Sequence, residues 1–389
     1  MLASADTVSR ILGSLEEIEA VADQWRALER RSTDPMTYFQ SYDWCRNWVA
    51  QYDDGGRNEP HITTLWRGDS MIAVWPLVIS RSGGISRLKT LGGPHSQYCG
   101  LLADPSVQVE RDLMPMVQLA LDRSGGDVAV FRSVPEDSLL ARALGDIAII
   151  GGAGDSASIL DLTGYASAED YTEQLGKLQK RNRNRRRNHL ARLGTLDFSV
   201  VWPSDPSFGS LVMRCAEMKQ QWLEELGLYS SGFAMGNFDR FLASLTGDGA
   251  TDSGACLSVL RVGGEPVAIE LGFLRKGHYY AYMGGFDWQL RDLSPGKVQM
   301  DMTVCWLIDR GIATYDLLTN AADYKKSWSS RSIAVTCRAK ALNWKGELYA
   351  SAWLPRVRPA IKRLRNRLPE LQQRASIFLR SALCLLLYV

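Results

Sequence analysis

Between Tyr279 and Trp328 an aromatic strand, a glycine turn, a helix, a second strand and a basic-aromatic segment follow one another in close order. Tyr279, Tyr280, Ala281, Tyr282 and Met283 have the composition of a buried strand, and Gly284-Gly285-Phe286-Asp287 ends it. Leu293-Ser294-Pro295-Gly296-Lys297 then precedes Val298, Met302, Cys305, Trp306 and Ile308, which recur at roughly helical spacing, so a helix begins near Pro295. Its first-turn N–H groups lack internal partners at the positive end of the helix dipole, a place suited to the pyrophosphate of a cofactor. Gly311 stops the helix, residues 314–318 read as another strand, and Tyr324-Lys325-Lys326-Ser327-Trp328 follows.

This order resembles the C-terminal half of the GNAT-related acyltransferases of the CelD/BcsL type, which accompany bacterial cellulose and exopolysaccharide synthesis and are cousins of the Fem-type peptidyltransferases. The residues that carry the resemblance are Gly285-Phe286-Asp287, Ser294-Pro295-Gly296, Gly311, Tyr315-Asp316-Leu317 and Tyr324-Lys325 with Trp328. In one respect the chain departs from the pattern: the glycine-rich acyl-CoA loop of ordinary GNAT enzymes is reduced to Ser294-Pro295-Gly296-Lys297. The resemblance implies an α/β fold of two tandem GNAT-like halves, each a mixed central sheet flanked by helices. It further implies an acyl-CoA, acetyl-CoA in the first instance, as cosubstrate, no metal, and an amine or hydroxyl of a saccharide as acceptor. Ser294, Gly296, Lys297 and Val298 are the expected cofactor contacts, with Tyr282, Trp328 and Arg185 toward the substrate.

At 389 residues the chain exceeds ordinary single-domain size, so two domains are expected. Leu65 to Val74 and Leu260 to Ile269 each read as two strands around a glycine turn; Gly68 and Gly263 lie 195 residues apart, as do Ala73 and Ala268. The expected units are an N-terminal half, 1–155, a C-terminal half with the acyl-CoA site, 156–350, and a basic tail, 351–389. Gly151 to Ala157 superficially matches a dinucleotide fingerprint, but Ser158 to Leu162 reads as a strand where the fingerprint needs a helix, so an interdomain turn is expected.

A composition of 46% hydrophobic and 23% charged residues is that of an ordinary globular protein, and a net charge of +2 gives no global argument for a polyanionic partner such as DNA. Seven cysteines without a Cys-x-x-Cys pair fit a reducing cytoplasm. Asp6, Glu16, Glu17 and Glu19 interrupt any signal-peptide pattern, and the longest apolar run, Ala382 to Val389, is far short of the roughly 18 residues of a membrane span.

Local charge is another matter. Residues 177–192 hold eight Lys or Arg and no acid, in a stretch that reads as a helix. This is either a solvated brace or a set of contacts to an anion such as a sugar phosphate, a lipid headgroup or tRNA; no specific tRNA binding is expected, since interleaved aromatics are absent. The tail 356–389 pairs basic residues with an apolar stripe through Ile361, Leu364, Leu368, Leu371 and Phe378, which suits either packing on the protein or peripheral contact with an anionic membrane from the cytoplasm.

Acyl transfer from a thioester needs a base, donors for the developing oxyanion and a path for the thiolate, and no covalent nucleophile. No Gly-x-Ser-x-Gly elbow is present, so direct transfer is expected. Glu270 interrupts an apolar strand and is the leading base, with open space expected beside it at Gly272; Asp287 is the alternative. Lys325 would assist the oxyanion and Tyr324 would protonate the leaving thiolate. The four histidines show no metal-ligand spacing. Two rival readings are a Fem-like transferase using aminoacyl-tRNA and a non-catalytic scaffold in a polysaccharide-synthesis complex.

Overall fold

A computed structural model describes residues 7–53, 56–145, 147, 155–246, 253–319, 323–357 and 360. The mixed α/β fold is as expected, with helices against sheets. The chain divides into two compact units, residues 1–155 with 334–389, and residues 156–333. The expected second half ran to residue 350. Instead, Arg331–Ala341 pairs antiparallel with Val128–Pro135 of the first unit, so residues 334–350 belong with that unit. The amphipathic stripe expected in the tail, 361–389, lies outside the described residues.

In the first unit, Ile62–Arg67 and Ser70–Trp75 form a hairpin flanked by Thr7–Leu12 and Leu102–Ala103. Asn58–Pro60, Leu77–Ser82, Ile85–Thr90, Val128–Pro135 and Arg331–Ala341 form the other sheet section. Trp75, Phe131, Leu113 and Leu140 lie in the core between these strands and the helix Met114–Arg123.

The second unit contains β1 (Asp155–Asp161), α1 (Ala168–Gln174), α2 (Lys177–Ala191), β2 (Leu196–Val201), α3 (Phe208–Glu225), α4 (Ser231–Ala234), α5 (Phe238–Ala243), β3 (Gly254–Val262), β4 (Glu265–Arg275), β5 (His278–Phe286), α6 (Pro295–Asp309), β6 (Thr314–Asp316) and α7 (Asp323–Trp328). Its strands run in the order β2-β3-β4-β5-β6-β1, antiparallel except where β5 and β6 run parallel. Side chains alternate across a strand, so β4 offers two different faces. Ala268 joins the cluster that holds Val298 of α6, whereas α3 lies against the other face, where its Cys215 thiol donates to the carbonyls of Ile269 and Met283. Gly285 lets α3 come close: a side chain there would fall 2.5 Å from the Cys215 carbonyl.

The two hairpins share their pairing in detail. Leu65 faces Ala73, the register then shifts, and Trp66 faces Met71; 195 residues on, Leu260 faces Ala268, the register shifts, and Arg261 faces Pro266. Gly68 and Gly263 open the two turns with φ of 58° and 59°. A bulge at one equivalent position in both is a specific feature of strand geometry, and it makes chance resemblance between the hairpins a poor account. After the bulge the copies diverge. Pro76 ends the first-unit strand, while β4 runs unbroken to Arg275.

Candidate functional site

β5 and β6 stay together for only three pairs, His278 with Thr314, Tyr279 with Tyr315, and Tyr280 with Asp316. Beyond them, Leu317 N donates to Ser158 O at 2.9 Å, so the chain after β6 follows β1 while β5 continues to Phe286. The sheet opens at this point. Tyr282 sits beside the opening at a β-bulge, where the register jumps from Ala281 opposite Gly272 to Met283 opposite Leu271. Its ring packs against Phe273 and Phe238, with centroids 4.9 and 6.2 Å away.

On the α6 side of the sheet a cleft of about 350 Å³ is bounded by α1, α2, the first turns of α6, and α7. Arg183, Arg186, Arg187 and Lys297 line it, with Trp328, Tyr165 and Tyr171 as aromatic walls. Arg183 is already committed. Its Nε donates to Asp301 Oδ2 at 2.5 Å, its other nitrogens to the Thr172 hydroxyl and, at 3.2 Å, to Cys305 Sγ. Burial holds the Asp301 carboxyl above its usual range, opposed by the charges of Arg183, Arg187 and Arg186. Arg186, Arg187 and Lys297 enter no ion pair among the described residues, which leaves three cations for a ligand anion. Arg185, the expected substrate contact, is exposed and does not line the cleft. Successive helical residues turn by 100°, so fixing Arg183 on Asp301 brings 186 and 187 round to the cleft and carries 185 away.

The expected cradle of amides at the start of α6 is smaller than the sequence suggests. Pro295 has no N–H, and Lys297 N and Val298 N both point to Ser294 O, at 3.1 and 3.4 Å. Ser294 is left-handed, with φ of 57°, and its hydroxyl caps nothing. The side chain of Val298 is buried beside Leu190 and Leu260. Gly296 N–H therefore remains as the first-turn amide open to a ligand, beside the exposed Lys297.

Glu270 is neither solvent-facing nor beside open space. The Tyr279 hydroxyl donates to Oε1 at 3.1 Å and the Tyr315 hydroxyl to Oε2 at 2.9 Å. The gap left by Gly272 is filled by the Tyr279 ring: a Cβ there would fall 2.1 Å from its hydroxyl oxygen. Burial raises the Glu270 carboxyl to about 7, against the tyrosine hydrogen bonds that favour its charge. Asp287 caps the short turn that follows β5, its Oδ1 accepting from Gln289 N at 2.9 Å. Lys325 is buried, and its Nζ donates to Leu317 O and Thr319 O at 2.6 and 3.1 Å. The side chain of Tyr324 lies outside the described residues. α7 spans the end of the sheet: Ser327 and Trp328 line the cleft, while Lys325 straps the backbone just after β6.

Two features on the α3 side carry no sequence signal. His278 Nε2 lies 3.0 Å from Asp316 Oδ2, both residues buried. Lys219 of α3 holds its Nζ 3.8 Å from the Trp222 ring centroid. No group of side chains suited to a metal ion occurs among the described residues.

Residues 177–326 match the family model Acetyltransf_6, an acetyltransferase (GNAT) domain. Three solved structures have similar folds. FemX aligns with a TM-score of 0.58 at 12% identity, covering 84% of this chain and 97% of that one. The C-terminal domain of a putative lysylphosphatidylglycerol synthetase from Agrobacterium fabrum aligns at 0.54 and 14%, covering 86% and 95%. A protein of unknown function from Bacteroides thetaiotaomicron aligns at 0.50 and 12%, covering 85% and 99%. At these identities the likeness is one of fold. No curated protein matches the sequence.

Proposed function

We propose that this chain, whose residues 177–326 form a GNAT-superfamily acetyltransferase domain, moves an acyl group, acetyl in the simplest case, from acyl-CoA directly to an amine or hydroxyl of a saccharide. The observation that carries this reading is the opening between β5 and β6, with the three-cation cleft on its α6 side. In it, the donor's phosphates lie on Arg186, Arg187 and Lys297 beside the Gly296 amide and the positive end of α6. The thioester arm enters the opening beside the β-bulge at Tyr282, with the β5 backbone there as the source of donors to the carbonyl. Donors placed where negative charge develops lower the barrier most.

The acceptor approaches from the α3 side, past Tyr282. Its nitrogen or oxygen adds to the thioester carbon, the C–S bond breaks, and the proton the acceptor loses ends on the departing thiolate, giving acylated acceptor and free CoA thiol. Glu270, enclosed by Tyr279 and Tyr315 on the α6 side of the sheet, acts through those hydroxyls as a positioning residue that fixes where β5 and β6 part. No helix among the described residues is long and apolar enough to cross a membrane, and we place the reaction in the cytoplasm or at the inner face of the membrane.

The Fem-like reading has one observation in its favour, the fold shared with FemX, and arginines would hold an RNA phosphate as readily as a nucleotide. Incubation with acetyl-CoA and a panel of amino sugars and hydroxylated saccharides separates the readings. The account expects free thiol in step with acylated acceptor. Acetyl-CoA binding without transfer to any acceptor would favour a scaffold, and transfer only from aminoacyl-tRNA would favour the Fem-like enzyme.

A further inference from the structure

Lys219 and Lys325 stand on the α3 side of the opening without a carboxylate of their own. Lys325 spends two of its three N–H donors on the carbonyls of Leu317 and Thr319, which fixes its ammonium at the end of β6. Lys219 lies where α3 comes closest to β5: its backbone nitrogen is 3.2 Å from the position a Gly285 side chain would take. Its ammonium rests on the Trp222 ring. Neither lysine forms an ion pair among the described residues. The acid on this face, Asp316, is held by His278 Nε2 and by Leu318 N at 2.7 Å.

Burial lowers both ammonium groups, Lys325 to about 8, where the charge of Lys219 adds to the fall and Asp316 opposes it. Two cations drawn out of water within range of each other are costly unless an anion joins them. Lys325 has a structural use, as a strap across 317–319. Lys219 has none beyond its aromatic contact, yet it sits at the edge of the opening.

We propose that the acceptor carries an oxyanion, a phosphate or a carboxylate, held between Lys219 and Lys325 while its nucleophile reaches the opening near Tyr282. This rests on the acyltransferase reading for the word acceptor; the oxyanion site itself rests on the two lysines. A neutral saccharide would leave Lys219 without a counter-charge, and a ligand with one oxyanion would meet both ammonium groups through charge-assisted hydrogen bonds.

The test is calorimetry in an Arg186→Ala/Arg187→Ala background, so that the cleft on the α6 side does not compete. Glucose 6-phosphate and glucuronate serve as phosphate and carboxylate probes, and glucose as the neutral one. At least one anionic probe should bind tenfold or more tightly than glucose, and which one does identifies the oxyanion. Lys219→Met should bring that probe to within twofold of glucose, and Lys219→Arg should keep most of the preference. Equal binding of all three probes, or a preference untouched by Lys219→Met, would overturn the proposal. Because binding is read without turnover, absence of acyl transfer would count against the acyltransferase reading and leave the oxyanion site standing.

Discussion

Tyr279 and Tyr315 are register partners on parallel strands, their rings stacked 5.4 Å apart at 14°, and both hydroxyls converge on the carboxylate of Glu270. The partners come from strands separated by the whole of α6, which packs over them through Met300, Val304 and Leu307. The last parallel pairs before the opening are thereby pinned by a buried polar cluster, and the opening starts at a fixed place.

Glu270 should make stability fall with rising pH. Its folded carboxyl titrates at about 7, above the value of about 4.3 for an unfolded glutamate, so between these values the unfolded chain releases a proton that the fold retains. Stability attributable to this group is highest below about pH 4 and is lost as pH rises to about 7, by something on the order of 3 kcal/mol. Glu270→Gln removes the ionisation. Urea melts at pH 5 and pH 8 should show the wild type losing stability relative to Glu270→Gln across that interval; a constant difference between the two proteins would mean that Glu270 ionises as freely in the fold as outside it.

Gly272→Ala should disorder the same cluster. The new methyl would occupy the place of the Tyr279 ring, which is held by stacking and cannot withdraw along the sheet. Overpacking of this kind typically costs about 1–3 kcal/mol. Gly296→Ala, whose methyl would sit 3.4 Å from Phe286 Cδ1, should cost much less. Equal melting temperatures for the two variants would contradict the packing around Glu270.

Arg183→Ala and Arg185→Ala should differ sharply although the residues lie two apart. Removing Arg183 strands the buried Asp301 carboxylate, and breaking a buried pair costs about 3–5 kcal/mol. Arg185 is exposed, and its loss should stay within about 0.5 kcal/mol. Thermal unfolding of both variants decides the matter; similar losses would mean that α2 is not locked in the rotation described.

The parts of the site that were legible from sequence are those governed by local rules. Pro295 at the first helical position, the aromatic run 279–283 and the glycine hairpins place their elements because each signal acts within a few residues. The rotation of α2 was not legible. Eight cations with few apolar neighbours give no hydrophobic period, and distant partners of Arg183, Asp301 foremost with Thr172 and Cys305, fix which arginines face the cleft. Glu270 likewise looked like a carboxylate beside a space, since nothing local reveals that Tyr279 fills the room made by Gly272. Lys219 reads as an ordinary helix-surface lysine until α3 is laid against Gly285. Chain order alone places residues 334–350 in the second half, and chain order is a poor guide where a strand returns to pair with Val128–Pro135.

The central claim is that Arg186 and Arg187 hold the phosphates of an acyl-CoA donor beside the start of α6. Titration of CoA into the wild type and into Arg186→Ala/Arg187→Ala, at low and at physiological salt, tests it most directly. The account predicts a wild-type complex that weakens with salt and a dissociation constant at least tenfold higher in the variant. Equal affinity in the two proteins, or no CoA binding by the wild type, would contradict it.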